Sequence, residues 1–280
     1  MNAGDHSAPR RNLLFLRSAF CILTSAFLPG CIPEQQQPPV SQKPPASLVA
    51  ADQALTANLP DQAIADAQSY LRGNPQGSAA AQAWYFEGRG YEQKLAADPA
   101  QVQQDLFQAN SCYQQALNQN PSSPLEGDIR ASLSNVLFFQ DKFADAIYQA
   151  TNAMPLVSSQ SVKSFLQLRI GECQQRLGRF NDADQTFNKV QQMYPGSPEA
   201  QAAHDHEGIH EFYVQLASYA DEKQAELAAA SLMGSGEVVS RRTNSKGTTI
   251  IDLGAYNTYA AAKAVKDRLA RNFPLAEIVP

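Results

Sequence analysis

A surplus of basic charge, a cysteine framework, a membrane-spanning apolar run and a catalytic constellation are all missing from this 280-residue chain. Lys and Arg number 22 against 27 Asp and Glu, a formal charge of −5. The first thirty residues hold Arg10, Arg11, Arg17 and Asp5, so the remainder carries −7, 19 basic groups against 26 acidic. Nucleic-acid binding needs a basic footprint, so no such partner is expected. Of four cysteines, Cys21 and Cys31 lie in the N-terminal apolar stretch, leaving only Cys112 and Cys173 for the folded body. Two cysteines with no motif spacing make neither a disulfide framework nor a metal site. No nucleophile–base constellation and no phosphate-cradling glycine loop is found, since Gly88-Arg89-Gly90 lies in a helical stretch. No catalysis and no cofactor are therefore expected. Tryptophan occurs once, while Ala and Gln are plentiful, a profile of helices with solvated faces.

The N-terminus reads as an address. Arg10 to Arg17 is basic at both ends, Ser18 to Leu28 is uncharged, and Pro29-Gly30-Cys31 follows. A basic region, a short apolar region and a small residue before a cleavage point make a secretory signal over 1–30. The apolar run is shorter than the roughly 20 residues a spanning helix needs. Leu28-Pro29-Gly30-Cys31 resembles a bacterial lipobox, which implies lipidation of Cys31. The alternative is ordinary cleavage near Gly30, leaving a soluble periplasmic protein. Ile32 rather than Asp follows Cys31, and the sorting rule for such lipoproteins then implies the periplasmic face of the outer membrane. Residues 31–47 contain Pro33, Pro38, Pro39, Pro44 and Pro45 without apolar periodicity. They read as a semi-extended tether rising about 3.1 Å per residue.

From 48 to 208 apolar residues recur at helical spacing, and one pattern returns four times. It reads Ala63, Ala67, Tyr70, Pro75; then Ala109, Tyr113, Ala116, Pro121; then Ala146, Ala150, Ala153, Pro155; then Ala183, Phe187, Val190, Pro195. Successive copies start 46, 37 and 37 residues apart. The longer first step marks an insertion near Leu95–Gln104. Trp84, Gly88 and Tyr91 in one first helix, Gly171 in another and the Gly178-Arg179-Phe180 turn complete the pattern. It resembles the tetratricopeptide repeat (TPR), a helix–turn–helix unit of about 34 residues. The resemblance implies an all-α superhelix whose concave face holds a protein or peptide. The inner positions of the first helices are then Tyr85, Arg89, Asn135, Phe138, Phe139, Leu168, Glu172 and Arg176. The expected partner contacts are Tyr85, Arg89, Phe138, Phe139 and Arg176. Phe138 and Phe139 are adjacent, so only one of the two can point into the core.

Over 209–280 the period changes from helical to alternating. Strands are expected at 212–219, 238–243, 248–253 and 276–279, and helices at 221–233 and 257–272, with Asp221 as an N-cap. The order is βαββαβ in two similar halves: Val-Gln-Leu-Ala-Ser-Tyr (214–219) echoes Ile-Asp-Leu-Gly-Ala-Tyr (251–256). Those halves resemble the SPOR domain, implying a small α+β ferredoxin-like fold that binds peptidoglycan glycan strands stripped of stem peptides, commonly at division sites. Two departures stand out: Ala217 replaces the first Gly of the family pattern, and Asp252 stands where a basic residue is common. Alternation puts Val214, Leu216, Ile251 and Leu253 on the helix side. Tyr213, Gln215, Ile250 and Asp252 then face outward. A hairpin folded about 244–247 sets Arg241 opposite Ile250, while a one-residue slip selects Arg242. Aromatic, amide, carboxylate and guanidinium groups on an open sheet suit a neutral sugar chain.

His206-Glu207-Gly208-Ile209-His210 fits the H-E-x-x-H pattern of zinc peptidases. Gly208 interrupts it and a strand starts at Phe212, so the two His are not expected to share a helix face, and no metal is assigned. The sequence thus points to a non-catalytic envelope adaptor that grips glycan at one end and a protein at the other. The rival reading is an outer-membrane assembly scaffold whose C-terminal domain no longer binds glycan, motivated by Ala217 and Asp252.

Overall fold

The computed structural model describes residues 44–94, 98–232, 236–243 and 247–280. The expected signal, the expected lipidation site Cys31 and nearly all of the expected tether lie outside the described residues.

Among the described residues, four helical hairpins run in chain order: α1 (Ala46–Thr56) with α2 (Pro60–Gly73), α3 (Ala80–Gln93) with α4 (Pro99–Asn118), α5 (Ser123–Phe139) with α6 (Phe143–Ala153), and α7 (Gln160–Arg176) with α8 (Phe180–Met193). A ninth helix, α9 (Pro198–His206), packs on α7 and α8. Helix starts carry the expected punctuation. Pro60, Pro99 and Pro198 sit at first positions, where a missing N–H costs nothing. Asp98 caps Ala100 N at 3.0 Å and Ser197 caps Ala200 N at 3.0 Å. Residues 99–104 of the expected insertion open the 20-residue helix α4.

All twelve helical positions of the repeated pattern are buried, at 9% exposure for Tyr70 and 1% or less for the others. The small residues exist to admit a ring. A Cβ on Gly88 would lie 2.5 Å from the Tyr113 ring, and a Cβ on Gly171 would lie 2.5 Å from the Phe187 ring. In the copy between them, Ser134 and Ala150 take the places of Gly171 and Phe187, 37 residues earlier in each case. There Ser134 Oγ instead donates to the Ala146 carbonyl at 2.9 Å. The turns of three hairpins share one left-handed residue: Asn58 (φ 57°), Asp141 (φ 59°) and Gly178 (φ 73°). Asn and Asp tolerate this region better than other residues with a Cβ.

The C-terminal module consists of β1 (Phe212–Tyr219), α10 (Glu222–Leu232), β2 (Val239–Thr243), β3 (Thr249–Tyr256), α11 (Tyr259–Leu269) and β4 (Glu277–Val279). The sheet is antiparallel in the order β2-β3-β1-β4. Asp221 accepts from Lys223 N at 2.9 Å at the start of α10, as expected of an N-cap. Phe212, Val214, Leu216, Ile251, Leu253 and Ile278 pack with Ala225, Ala229, Ala262 and Val265 of the two helices. Full burial of each large side chain contributes about 1.5–3 kcal/mol. Gly254 (φ 131°) lets strands β1 and β3 close, because a Cβ there would meet the Phe212 carbonyl oxygen at 3.0 Å.

The two modules are fastened together. Gln175 Nε2 donates to the carbonyls of His206 (3.1 Å) and Ile209 (2.8 Å). Asp184 accepts from Gly208 N at 2.9 Å through one oxygen and lies 2.9 Å from His210 Nε2 through the other. Beyond this linker, Tyr259 wedges its ring against Phe143 and Phe212, with centroids 5.0 and 5.9 Å away. Its hydroxyl donates to Asp141 Oδ1 at 2.5 Å, and Lys263 reaches Asp141 Oδ2 at 3.1 Å.

Candidate functional site

The open face of the sheet, opposite α10 and α11, is built across three strands. Gln215 of β1 stands opposite Asp252 of β3, which stands opposite Ser240 of β2. Arg242, two residues along β2, reaches back over both neighbours. Its Nε donates to Asp252 Oδ2 at 2.6 Å, and one Nη donates to Gln215 Oε1 at 3.1 Å. The Asp252 residue is 4% exposed, whereas the Arg242 side chain is 57% exposed. A carboxylate that faces outward by alternation is thus roofed by the guanidinium that neutralises it. Tyr213 lies on the same face of β1, half-buried, its hydroxyl donating to Glu211 at 3.2 Å. Burial, Glu211 and the Asp252 charge together raise that hydroxyl above its ordinary 10.0, keeping it a neutral donor.

The expected hairpin register is corrected by one residue. Thr243 pairs with Thr249, so Arg242 stands opposite Ile250 and Arg241 opposite Ile251. The loop is one residue longer than the four-residue turn expected, and every β2 side chain changes face. Arg241 therefore lies on the helix side, where it pairs with Glu226 of α10 at 3.5 Å. Ile250 keeps the outward face but is 9% exposed, in register with Arg242 and Ser218.

In the helical region, the first helices carry one connected polar rail. Arg89 donates to the Tyr85 hydroxyl at 3.1 Å. Glu92 accepts from Tyr113 (2.5 Å) and from Asn135 (2.7 Å). Asn135 accepts from Arg169 at 3.0 Å, and Arg169 pairs with Glu172 at 2.8 Å. Arg169 also lies over the Phe138 ring, 3.8 Å from its centroid. Arg176 lies 4.9 Å from Phe138 and 4.8 Å from Tyr259, so it touches both modules.

This rail narrows the expected groove. Tyr85, Asn135, Phe138 and Leu168 are buried at 5–8% exposure rather than presented. Neighbouring first helices pack closely, and Glu92, Asn135, Arg169 and Glu172 pair with one another along them. Of the adjacent aromatics, Phe138 is buried and Phe139 remains 37% exposed, edge-on to it. Phe139 and the half-buried Arg176 are the accessible members of the expected set, with the Arg89 side chain at 13%. Sequence reasoning missed Glu92, Arg169, Asp141 and Tyr259. One signal was present: Asp141 lies 37 residues before Gly178, so the repeat itself places a non-glycine at a left-handed turn position.

The side chains of the H-E-x-x-H segment are held by the helical region. Glu207 accepts from Asn188 and Gln191, both at 2.7 Å. His206 packs on Phe187, while His210 stacks on Phe180. Among the described residues no three His, Cys, Asp or Glu side chains gather as a metal would require, and no helix is long and apolar enough to cross a membrane. Cys112 and Cys173 are buried thiols, Cys173 pushed up to about 12 by burial.

Comparison with known proteins agrees with this division. The SPOR domain family model matches residues 211–280, and the tetratricopeptide repeat model matches 166–197. The chain therefore carries a SPOR domain behind a helical region of TPR type. A SPOR domain implies peptidoglycan binding and a TPR implies protein interaction. Similar solved structures include YrrB, described as a TPR protein with an unusual peptide-binding site (20% identity, 57% of this chain and 75% of that one, TM-score 0.44). They also include a thermophilic TPR protein of Thermus thermophilus, TTC0263 (18% identity, 60% and 82%, TM-score 0.45). A third is MamA (16% identity, 57% and 80%, TM-score 0.44). No curated protein matches.

Proposed function

We propose that this protein is a non-catalytic adaptor of the cell envelope. Its SPOR sheet holds peptidoglycan glycan strands denuded of stem peptides, and its helical region holds a protein at sites of wall remodelling or division. Lipidation at Cys31 would keep it on the periplasmic face, with the outer membrane favoured by Ile32. The observation that carries the reading is the open face of the matched SPOR domain, where Arg242, Gln215 and Asp252 interlock across three strands. Such a face offers oriented hydrogen bonds and the Tyr213 ring to a neutral sugar chain. Two modest affinities joined in one chain raise effective concentration at the wall. The linker clasp and the Tyr259 wedge support a fixed geometry between the two binding surfaces.

The test is co-sedimentation of the purified chain with cell-wall sacculi, half of them pretreated with an amidase that strips stem peptides. Stronger pelleting on stripped sacculi is the expected result. No pelleting on either would overturn the glycan reading and leave an assembly scaffold that works through its helical region.

A further inference from the structure

Among the described residues, Arg242 leaves two groups of the open face without a protein partner. A guanidinium has only N–H donors, so it takes an oxygen from each neighbour. It holds Asp252 Oδ2 and Gln215 Oε1. This fixes the Gln215 amide, because the reversed orientation would set an NH2 group against the guanidinium. What remains is an ordered pair: Gln215 Nε2, a donor, beside Asp252 Oδ1, an acceptor. Asp252 is 4% exposed, and its Oδ1 has no hydrogen-bond partner among the described residues. The sole side-chain hydrogen bond of Gln215 among the described residues is the one through its oxygen. The two residues face each other directly in the β1–β3 ladder, at a side-chain separation of about 4.5–5.5 Å.

An unpaired acceptor shut off from water is costly and calls for a donor. No described residue donates to it, and ligand entry must displace a neighbouring side chain to reach it. A wall sugar supplies the matching edge. Every 2-acetamido sugar carries an N–H at C2, which only donates, next to an oxygen at C3. That oxygen accepts whether it is a hydroxyl or an ether. The order of groups on the protein, donor at 215 and acceptor at 252, is the complement of that edge.

Building on the glycan reading above, we propose that Gln215 Nε2 and Asp252 Oδ1 form a subsite for the C2–C3 edge of a 2-acetamido sugar. Asp252 accepts the acetamido N–H, Gln215 donates to the C3 oxygen, and Arg242 positions both. The buried carboxylate is thus a specificity element of the face.

A charge-conserving swap tests this with the full chain on amidase-stripped sacculi. Gln215→Glu gives its second oxygen to the face as an acceptor, and Asp252→Asn gives an NH2. Each still offers Arg242 an oxygen, and the double variant restores one negative charge beside it while reversing the order of donor and acceptor. Each single variant is expected to weaken pelleting about tenfold, and the double variant to melt like the parent yet stay about tenfold weaker. A double variant that pellets like the parent would overturn the subsite. Should the swap melt lower, Gln215→Met removes the donor at a half-buried position without touching the buried charge. Its expected loss is again about tenfold, and unchanged pelleting overturns the proposal. Failure of the parent itself to pellet is a different result, since it removes the glycan reading altogether.

Discussion

The Tyr259 hydroxyl donates to Asp141 Oδ1 across 2.5 Å, joining the first residue of α11 to the left-handed residue of the α5–α6 turn. Asp141 holds a conformation that Gly178 takes more easily one repeat later, and both its oxygens are used by the second module. Tyr259→Ala is expected to separate the melting of the two modules in calorimetry. Tyr259→Phe keeps the ring and loses one half-exposed hydrogen bond, a cost of about 1 kcal/mol. Identical single transitions for parent and Tyr259→Ala would mean that the modules are not coupled through this ring.

Gly88 and Gly171 should resist the smallest side chain. Alanine at either would press a methyl group to 2.5 Å from a ring that is itself fully buried, Tyr113 or Phe187. Overpacking of this kind costs about 1–3 kcal/mol, more than the helix propensity gained, about 1 kcal/mol. Both variants are expected to melt below the parent. Ser134→Ala, the equivalent position, loses one buried hydrogen bond without overpacking; its melting should fall less.

The hairpin register makes neighbouring arginines unequal. Arg242→Ala uncovers a buried carboxylate and releases Gln215, so pelleting with stripped sacculi should drop sharply. Arg241→Ala removes a half-exposed pair with Glu226 on the helix side and should change pelleting little. The reverse ranking would place the functional face on the other side of β2.

Acid should loosen the junction between the modules. Burial, helped by the Arg176 and Arg169 charges and opposed by Glu172 and Asp205, lowers His206 from its ordinary 6.5. Below that pH the unfolded chain takes up this proton more readily than the folded one. The contribution is full above the ordinary value and is lost as pH falls through the lowered folded value. The melting temperature should therefore fall as pH drops below the ordinary 6.5, and by less in His206→Gln. An equal fall in both proteins would assign the acid sensitivity to other groups.

Much of this protein is written in local pattern. The helix pairs follow from a period that puts Ala, Tyr and Phe on one face, and the change at Phe212 to alternation marks the second module before any contact is known. The inward strand residues Val214, Leu216, Ile251 and Leu253 are likewise fixed by period 2. What sequence could not decide was register and burial. Whether Arg241 or Arg242 joins the face turned on one residue of loop length, which the flanking strands leave open because both arginines are polar and neither face forbids them. Tyr85, Asn135 and Phe138 looked accessible on a single helix, and became buried because the neighbouring first helices arrive against them. Tyr259 and Asp141 are 118 residues apart. Periodicity carries information over a few turns, so only the packing of one module on the other could bring these two together.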